Sequence, residues 1–269
     1  MKYDPIKKNL GAVFNKRPFL RKLFYRLLDL LLLRTWHIKK AIRTWKKSHK
    51  YKAAILDAGS GFGQYSYYLS KQSKKWEILG VDVKQEQIDD CNRFFNQLKQ
   101  SDRIHFEYAD LTTFKKDAVY DLILSVDVME HIEEDVVVFK NFYSSLKTGG
   151  MLLISTPSDQ GGSDVHDEDE HSFIDEHVRD GYNINEIKEK LTKAGFSKVE
   201  SNYSYGTPGK ISWKLSMKYP ILMLNTSKIF FIILPVYYIL AFPVAFILNY
   251  FDVHGNHQTG TGLIVKAFK

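Results

Sequence analysis

The 269-residue sequence predicts an α/β protein built on a mostly parallel sheet, and three observations lead to this prediction. Short apolar runs alternate with helical patterns from residue 52 onward, which is typical of strand–helix–strand units with right-handed crossovers. The first apolar run ends in an acid and three glycines before a helical stretch, which indicates a strand, a tight turn and a helix start. The composition, 44% hydrophobic and 26% charged, suits one large domain with additions.

Local signals mark the individual elements of this sheet. The turn at 147–150 leads into the fifth strand, and Pro157 ends that strand. Asn183 and Glu186 form a variant of the capping box, which starts a helix that Gly195 ends. The predicted strands are 53–57, 76–83, 104–108, 120–126, 151–156, 197–204 and 262–268. The predicted helices between them are 64–71, 85–100, 134–146 and 183–195.

The first 52 residues form a strongly basic arm. They contain 16 of the 38 Lys and Arg residues and only two acids, whereas the rest of the chain is mildly acidic. We expect a helix over 19–33 and a second helix that carries Trp36, Ile38 and Trp45 between basic side chains. Basic amphipathic helices suit an anionic membrane surface. The alternative is a lid packed on the main domain, and nucleic-acid binding is disfavoured because these helices are Leu-rich.

Cysteine usage indicates the cellular compartment. The single Cys91 excludes an intramolecular disulfide and a cysteine-built zinc site, and it fits a reducing environment. The basic N-terminus is not followed by an uninterrupted apolar core with a small-residue cleavage site, so no cleavable signal peptide is evident. We therefore expect a cytoplasmic protein, peripheral on the inner face of the membrane.

A glycine turn follows the first strand. Gly59, Gly61 and Gly63 come just after Asp57, where glycines let the backbone approach a ligand and helix-start amides can donate to an anionic group. The spacing departs from the G-x-G-x-x-G dinucleotide fingerprint, and the Gly-Lys-Ser/Thr of a phosphate-binding loop is absent. The turn therefore predicts a nucleotide-like cofactor of another kind.

Polar segments end the next three strands. Asp82 lies 23 residues after Gly59, where one carboxylate can accept two hydrogen bonds from a ribose diol. Asp110 follows the third strand beside the small residue Ala109. The segment 125–132, with the sequence SVDVMEHI, follows the fourth strand, at the carboxyl end where open α/β sheets bind their ligands.

These four motifs, in this order and at these spacings, resemble class I S-adenosylmethionine (SAM) methyltransferases of the small-molecule type, including the ubiquinone O-methyltransferase group. The resemblance covers about residues 50–205 and 258–269. It implies a Rossmann-like seven-stranded sheet with helices on both faces and an antiparallel strand 7, with SAM as cofactor and no metal at the site. The cofactor-binding residues that it implies are Asp57, Gly59, Gly61, Gly63, Asp82, Val83, Ala109, Asp110, Leu111 and Ser125.

Methyl transfer from a sulfonium needs alignment of the acceptor and exclusion of water more than electrophilic help. A hydroxyl acceptor also needs a general base. We expect His177, His131 and Asp127 to be catalytic, because they follow strands 5 and 4 where such folds carry substrate-facing loops. In the alternative interpretation His177 makes a structural contact in a solvated acidic loop, and Glu130 and His131 order their loop or meet a divalent ion.

An uncharged apolar segment, 229–251, precedes the last strand. It is long enough to span a bilayer, but it connects strands 6 and 7 of one sheet, so a single crossing would separate these strands. We expect Pro235 and Pro243 to break it into short pieces. Three interpretations remain: a hairpin that dips into one leaflet, a cover over a hydrophobic substrate pocket, or a homo-oligomer interface. The lysines that precede this segment can meet lipid head groups.

The predicted organisation has three parts: an arm or lid (1–50), a SAM-binding domain (51–205 and 257–269) and an apolar helical insertion (206–256). We expect methyl transfer to a small hydrophobic or lipid-like acceptor at an anionic membrane surface, first to a hydroxyl and next to carbon or nitrogen. One rival is an RNA or protein methyltransferase, but the Asn-Pro-Pro-Tyr type of amine motif is absent after strand 4. Another is a catalytically silent SAM-binding or membrane-scaffold protein.

Overall fold

The computed structural model describes residues 17–49, 51–161, 178–227 and 229–269. Its strands are β1 (Ala53–Ala58), β2 (Trp76–Asp82), β3 (Ile104–Tyr108), β4 (Tyr120–Val126), β5 (Leu146–Pro157), β6 (Lys198–Ser204) and β7 (Gly262–Phe268). Its α-helices are α1 (Pro18–Leu31), α2 (Leu33–Lys46), α3 (Gln64–Gln72), α4 (Gln85–Gln97), α5 (Asp135–Ser145), α6 (Ile184–Lys193), α7 (Thr207–Trp213), α8 (Tyr219–Thr226) and α9 (Phe230–His254). A 3₁₀ turn covers Met129–His131, and a π-helical turn, Lys214–Lys218, joins α7 to α8.

The strands form one sheet in the order β3-β2-β1-β4-β5-β7-β6. The pairs among β1 to β5 are parallel, whereas β7 is antiparallel to both β5 and β6. Helices cover both faces: one apolar cluster packs α5 and α6 on the sheet, and the other packs α1 to α4 on the opposite face. The predicted fold class, including the antiparallel strand 7, is therefore confirmed.

One strand begins earlier than the sequence predicts. We expected 147–150 to be a turn before the fifth strand, but β5 already begins at Leu146. The pairing register shifts, because Tyr120 pairs with Leu146 while Leu122 pairs with Met151. Gly149, with φ of +80°, accommodates this bulge, and its amide donates to the carbonyl of Lys269. The glycines therefore mark an irregularity inside the strand rather than its start.

The insertion between β6 and β7 folds as a helical hairpin. The leg made of α7, the π-helical turn and α8 runs against α9. The hydroxyls of Tyr237 and Tyr238 donate to the carbonyls of Leu215 and Ser216, at 2.7 and 2.8 Å, within the π-helical turn. These bonds satisfy carbonyls of a turn whose geometry is less regular than that of an α-helix.

The expectation that Pro235 and Pro243 break the apolar segment is wrong, since α9 runs without interruption through 25 residues. Both prolines are exposed, so each ring removes one main-chain hydrogen bond on the side of α9 that faces away from the packed leg. Among the described helices, α9 is the one whose length and composition would allow it to cross a membrane, and 11% of its most apolar window is buried.

Candidate functional site

The carboxyl ends of four parallel strands meet at one edge of the sheet. Asp82 pairs with Tyr108 between β2 and β3, and Ala58 of β1 pairs with Val81 on one side and Ser125 on the other. The glycine turn, Asp82, the residues after β3 and the loop after β4 therefore lie side by side. The structure thus brings the predicted cofactor residues together at the edge where open α/β sheets bind ligands.

The turn after β1 requires glycine for two physical reasons. Gly59, Gly61 and Gly63 have φ of +76°, +51° and +76°, in the left-handed region that side chains disfavour. A Cβ on Gly59 would also overlap the side chain of Val128, which follows β4. The turn therefore lies directly against the loop after β4. Gly63 is also the N-cap of α3, so this helix begins at the turn.

The carboxylate of Asp82 fixes the turn. One of its oxygens accepts from the amide of Gly61 at 2.8 Å, and the other accepts from the amide of Lys84 at 3.0 Å. Each carboxylate oxygen has a second lone pair, so this half-buried group can still accept from a diol. The hydroxyls of Ser60 and Ser125 are buried and have no hydrogen-bond partner among the described residues. These orphaned groups at the strand ends fit a polar ligand such as the adenosyl group of SAM.

The other predicted cofactor residues differ in exposure. Asp57 is buried and accepts from the hydroxyl of Ser66 at 2.7 Å, and burial raises the pKa of its carboxyl to about 6. Asp110 is exposed and accepts from the amide and the hydroxyl of Thr112. The remaining side chains after β2 and β3 span a range: Val83 is exposed, Ala109 is half-buried and Leu111 is buried.

The loop after β4 begins at Asp127, whose φ is +51°. Its amide donates to the carbonyl of Ser155 at 2.8 Å, and its carboxylate forms an ion pair with Arg34 of α2. The amide of Arg34 in turn donates to the hydroxyl of Tyr205, just after β6, at 3.1 Å. From the sequence, Arg34 is predictable only as one basic residue of the arm, because its position at the site depends on how α2 packs against the sheet.

Glu130 occupies the interior of the same loop and is 1% exposed. Its carboxyl accepts from the hydroxyl of Thr156 at 3.0 Å. Burial and the nearby charge of Asp127 raise the pKa of Glu130 to about 8, while Thr156 and Arg34 offset part of the rise. Glu130 is therefore a neutral acid at neutral pH. His131, next in the chain, is exposed.

The exchange Glu130→Gln is expected to stabilise the protein progressively as the pH rises. The folded-state pKa of Glu130 lies above its unfolded value of 4.5, so its contribution to the free energy of unfolding is present below about pH 4.5 and lost as the pH rises through about 8. Glutamine has no proton to lose. The melting temperature of the variant minus that of the parent should therefore increase by about 10 °C between pH 5 and pH 9.

Scanning calorimetry at several pH values measures this difference. The same exchange at the exposed neighbour Glu133 is the matched control, and its difference should stay constant with pH. A constant difference for Glu130→Gln as well would contradict the raised pKa.

The histidines on the segment after β5 cannot be placed at this site. His177, together with His166 and His171, lies outside the described residues, so the role predicted for His177 stays a prediction. Among the residues that the structure describes, no group of three His, Cys, Asp or Glu side chains could hold a metal ion.

A second arginine, which was not predicted from the sequence, connects α1 to the glycine turn by hydrogen bonds. Arg21 is 3% exposed and donates to the carbonyl of Phe62 at 2.7 Å and to that of Asp90 at 3.0 Å. The hydroxyl of Tyr25 donates to the same Phe62 carbonyl. The Arg21 guanidinium also lies over the ring of Phe94, 4.6 Å from its centroid. Helix α1 is therefore part of the wall behind the turn.

Comparison with known proteins agrees with this geometry. Residues 49–205 match a family model described as a methyltransferase domain. The chain is 31% identical over 128 residues to phosphoethanolamine N-methyltransferase 1 of Triticum aestivum, an alignment that covers 42% of this chain and 25% of the relative. It is 31% identical over 103 residues to the ubiquinone biosynthesis O-methyltransferase of Coxiella burnetii (strain Dugway 5J108-111), covering 38% of this chain and 42% of the relative.

A solved structure shares the fold. The chain aligns with Haemonchus contortus phosphoethanolamine N-methyltransferase 2 in complex with S-adenosyl-L-methionine, with a TM-score of 0.58 and 18% identity. This alignment covers 81% of the chain and 49% of that structure. The chain thus spans less than half the length of each of these three proteins.

Proposed function

Because the chain belongs to the methyltransferase domain family, we propose that it transfers a methyl group from S-adenosyl-L-methionine to a small hydrophobic or lipid-like acceptor at a membrane surface. One observation supports the lipid-like acceptor and the membrane surface in this proposal. The apolar hairpin leaves the sheet after Ser204 and returns at Gly262, two residues that pair at the same edge as the glycine turn. The apolar hairpin therefore emerges at the same end of the strands as the glycine turn, with β4 and β5 between β1 and β7.

Different groups of the chain are proposed to contribute to different parts of this reaction. SAM, when bound, supplies a sulfonium-activated methyl group. Asp82 is suited to hold the ribose hydroxyls, while the glycine turn lets the backbone approach the cofactor closely. The loop after β4 lies against the glycine turn through Val128, so it would help exclude water from a cofactor bound there. Positioning of the acceptor by the surrounding residues would then supply a large part of the acceleration.

A proton must leave a hydroxyl acceptor during the transfer. Burial raises the pKa of Glu130, so this carboxyl is a poor proton acceptor at neutral pH, and the Asp127 carboxylate is already held in an ion pair with Arg34. We therefore assign proton acceptance to His131 and an orienting role to Asp127, with His177 as the alternative base. An amine acceptor is the second candidate, since phosphoethanolamine N-methyltransferases are among the similar proteins.

The charges of the insertion support an anionic membrane as the partner. The stretch 205–251 contains four lysines and no acid. Lysines beside an apolar surface attract anionic head groups while the apolar side chains enter the interface. With its sequence features of a reducing compartment, the protein is proposed to act in the cytoplasm, on the inner face of the membrane.

The proposed activity is tested by incubating the protein with SAM labelled in its methyl group and with separate lipid, RNA and protein extracts. We expect label in the organic-soluble lipid fraction. An Asp82→Asn variant serves as the matched control and should transfer far less label. Label confined to RNA or protein would favour the rival acceptors. SAM binding without transfer to any fraction would favour a silent SAM-binding protein.

A further inference from the structure

The exposed side of α9 is apolar from one end to the other. The N-cap Ile229 and eight side chains of α9 are each more than half exposed: Phe231, Ile232, Val236, Ile239, Leu240, Ile247, Tyr250 and Phe251. From 229 to 251 a helix extends about 33 Å. No charged side chain interrupts this length, so water meets an apolar surface along the whole helix.

All of these side chains except Phe231 share one face of the helix, whereas Phe231 lies about five turns before the buried Asn249 and therefore on the opposite side. Ile232, Val236, Ile239 and Ile247 recur at intervals of three, four or eight residues, which lie on one side of a helix. The opposite face contains the buried Ala245, Asn249 and Asp252 and packs against the other leg of the hairpin. The exposed apolar face therefore stays on one side of α9 and does not wind around the helix.

The apolar face reaches the main domain itself. The Asp252 carboxylate, which is completely buried, bonds to His37 of α2 at 2.8 Å and accepts from the amide of Gly209 at 3.0 Å. The exposed Phe251 and Ile247 lie within about one turn of this anchor. A hairpin that stood upright in a leaflet would leave these two side chains beside the domain, at the level of the head groups.

A second apolar patch adjoins the first. Phe19, Leu23, Leu27 and Leu30 of α1 are exposed. Trp36 joins the patches, because its ring lies 4.8 Å from that of Phe246 on α9 and its indole NH donates to the carbonyl of Leu30. Exposed basic side chains on α1 and α2 accompany them: Arg26, Lys40 and Arg43. Apolar area with neighbouring cations is the composition of a surface that binds anionic bilayers.

We propose that α9 lies flat in the interface of an anionic bilayer, with the exposed side of α1 as a second contact. The edge of the sheet that carries the glycine turn is then held against one leaflet. The acceptor is then a lipid-like molecule taken directly from that leaflet, a point that rests on the proposed methyl transfer. Flat binding accounts for an apolar face of constant direction along the whole helix, which an upright hairpin does not require.

Depth measurements on the full chain test this orientation. Single cysteines at Ile232, Ile239 and Ile247 carry an environment-sensitive fluorophore, and vesicles of phosphatidylcholine and phosphatidylglycerol contain quenchers at known depths. The native Cys91 is fully buried, so the new cysteines are labelled selectively. Flat binding predicts that the three fluorophores lie at the same depth in the bilayer, within about 5 Å, the pitch of one helical turn. The exposed Asp102→Cys, after α4, is the control and should stay in water.

Two results would overturn the proposal. A depth that decreases from Ile232 to Ile247 identifies an upright hairpin. No quenching, together with a dimeric mass in solution, identifies α9 as an interface between copies of the chain. Calorimetry with SAM in the absence of vesicles separates these failures from failure of the proposed activity: intact SAM binding with unequal depths removes only the flat orientation, whereas absent SAM binding removes the methyl-transfer proposal.

Discussion

Replacement of Asp82 with alanine is expected to weaken the binding of SAM about 100-fold, as measured by calorimetry. The variant loses the acceptor proposed for the ribose hydroxyls, and charge-assisted hydrogen bonds of this kind are worth about 1.5–3 kcal/mol each. It also loses the bonds from the amides of Gly61 and Lys84, which hold the glycine turn in its left-handed conformation. Both losses act in the same direction on SAM affinity.

Two variants separate recognition from support of the turn. Asp89→Ala removes an exposed carboxylate from α4 and should leave the affinity unchanged. Asp82→Asn keeps one acceptor oxygen for the turn but lacks the charge, so its affinity should lie between those of the parent and the alanine variant. Unaltered SAM affinity in Asp82→Ala would remove Asp82 from the ribose site.

Replacement of Asp252 with alanine is expected to lower the free energy of unfolding by about 3–5 kcal/mol, the usual cost of removing one partner from a buried charged network. The carboxylate is fully buried and bonds to His37, to the amides of Tyr205 and Gly209, and to His257 at 3.3 Å. Its loss leaves donors from α2, α7 and the chain after α9 without their acceptor. These elements would then separate from one another more readily.

Thermal unfolding measures this effect, and a fall in melting temperature of about 10 °C is expected. Asp102→Ala, at an exposed position, controls for the loss of one negative charge. If Asp252→Ala had the same melting temperature as that control, the four contacts of the carboxylate would make no net contribution to stability.

The glycine turn could be predicted because its requirements are local. Gly59 and its neighbours need positive φ wherever they occur, and Asp82 is tied to them through the ends of adjacent parallel strands. By contrast, Arg34 reaches Asp127 across 93 positions of the chain. The raised pKa of Glu130 arises from its burial beside β5. Neither effect leaves a pattern in the neighbouring sequence.

Predictions from local residue preferences were wrong in two segments where tertiary packing opposes those preferences. The two prolines of α9 are strong helix breakers in isolation, yet the hairpin leg holds the helix together through its other face. The Gly149–Gly150 pair is typical of a turn, but β5 pairs with β4 on both sides of it, at Leu146 and again from Met151. In both segments, tertiary contacts outweigh the preference of a few residues.

The position of β7 sets an order for the folding of this chain. It occupies the place between β5 and β6, but the ribosome makes it after both of these strands and after the whole apolar hairpin. Until β7 inserts, β5 and β6 present unpaired edges while the hydrophobic hairpin is already exposed. Such late, non-local pairing slows folding and leaves an aggregation-prone intermediate. A fragment that ends at Ser204 would retain the glycine turn but remain trapped in that intermediate, so the completed sheet depends on the residues that follow the hairpin.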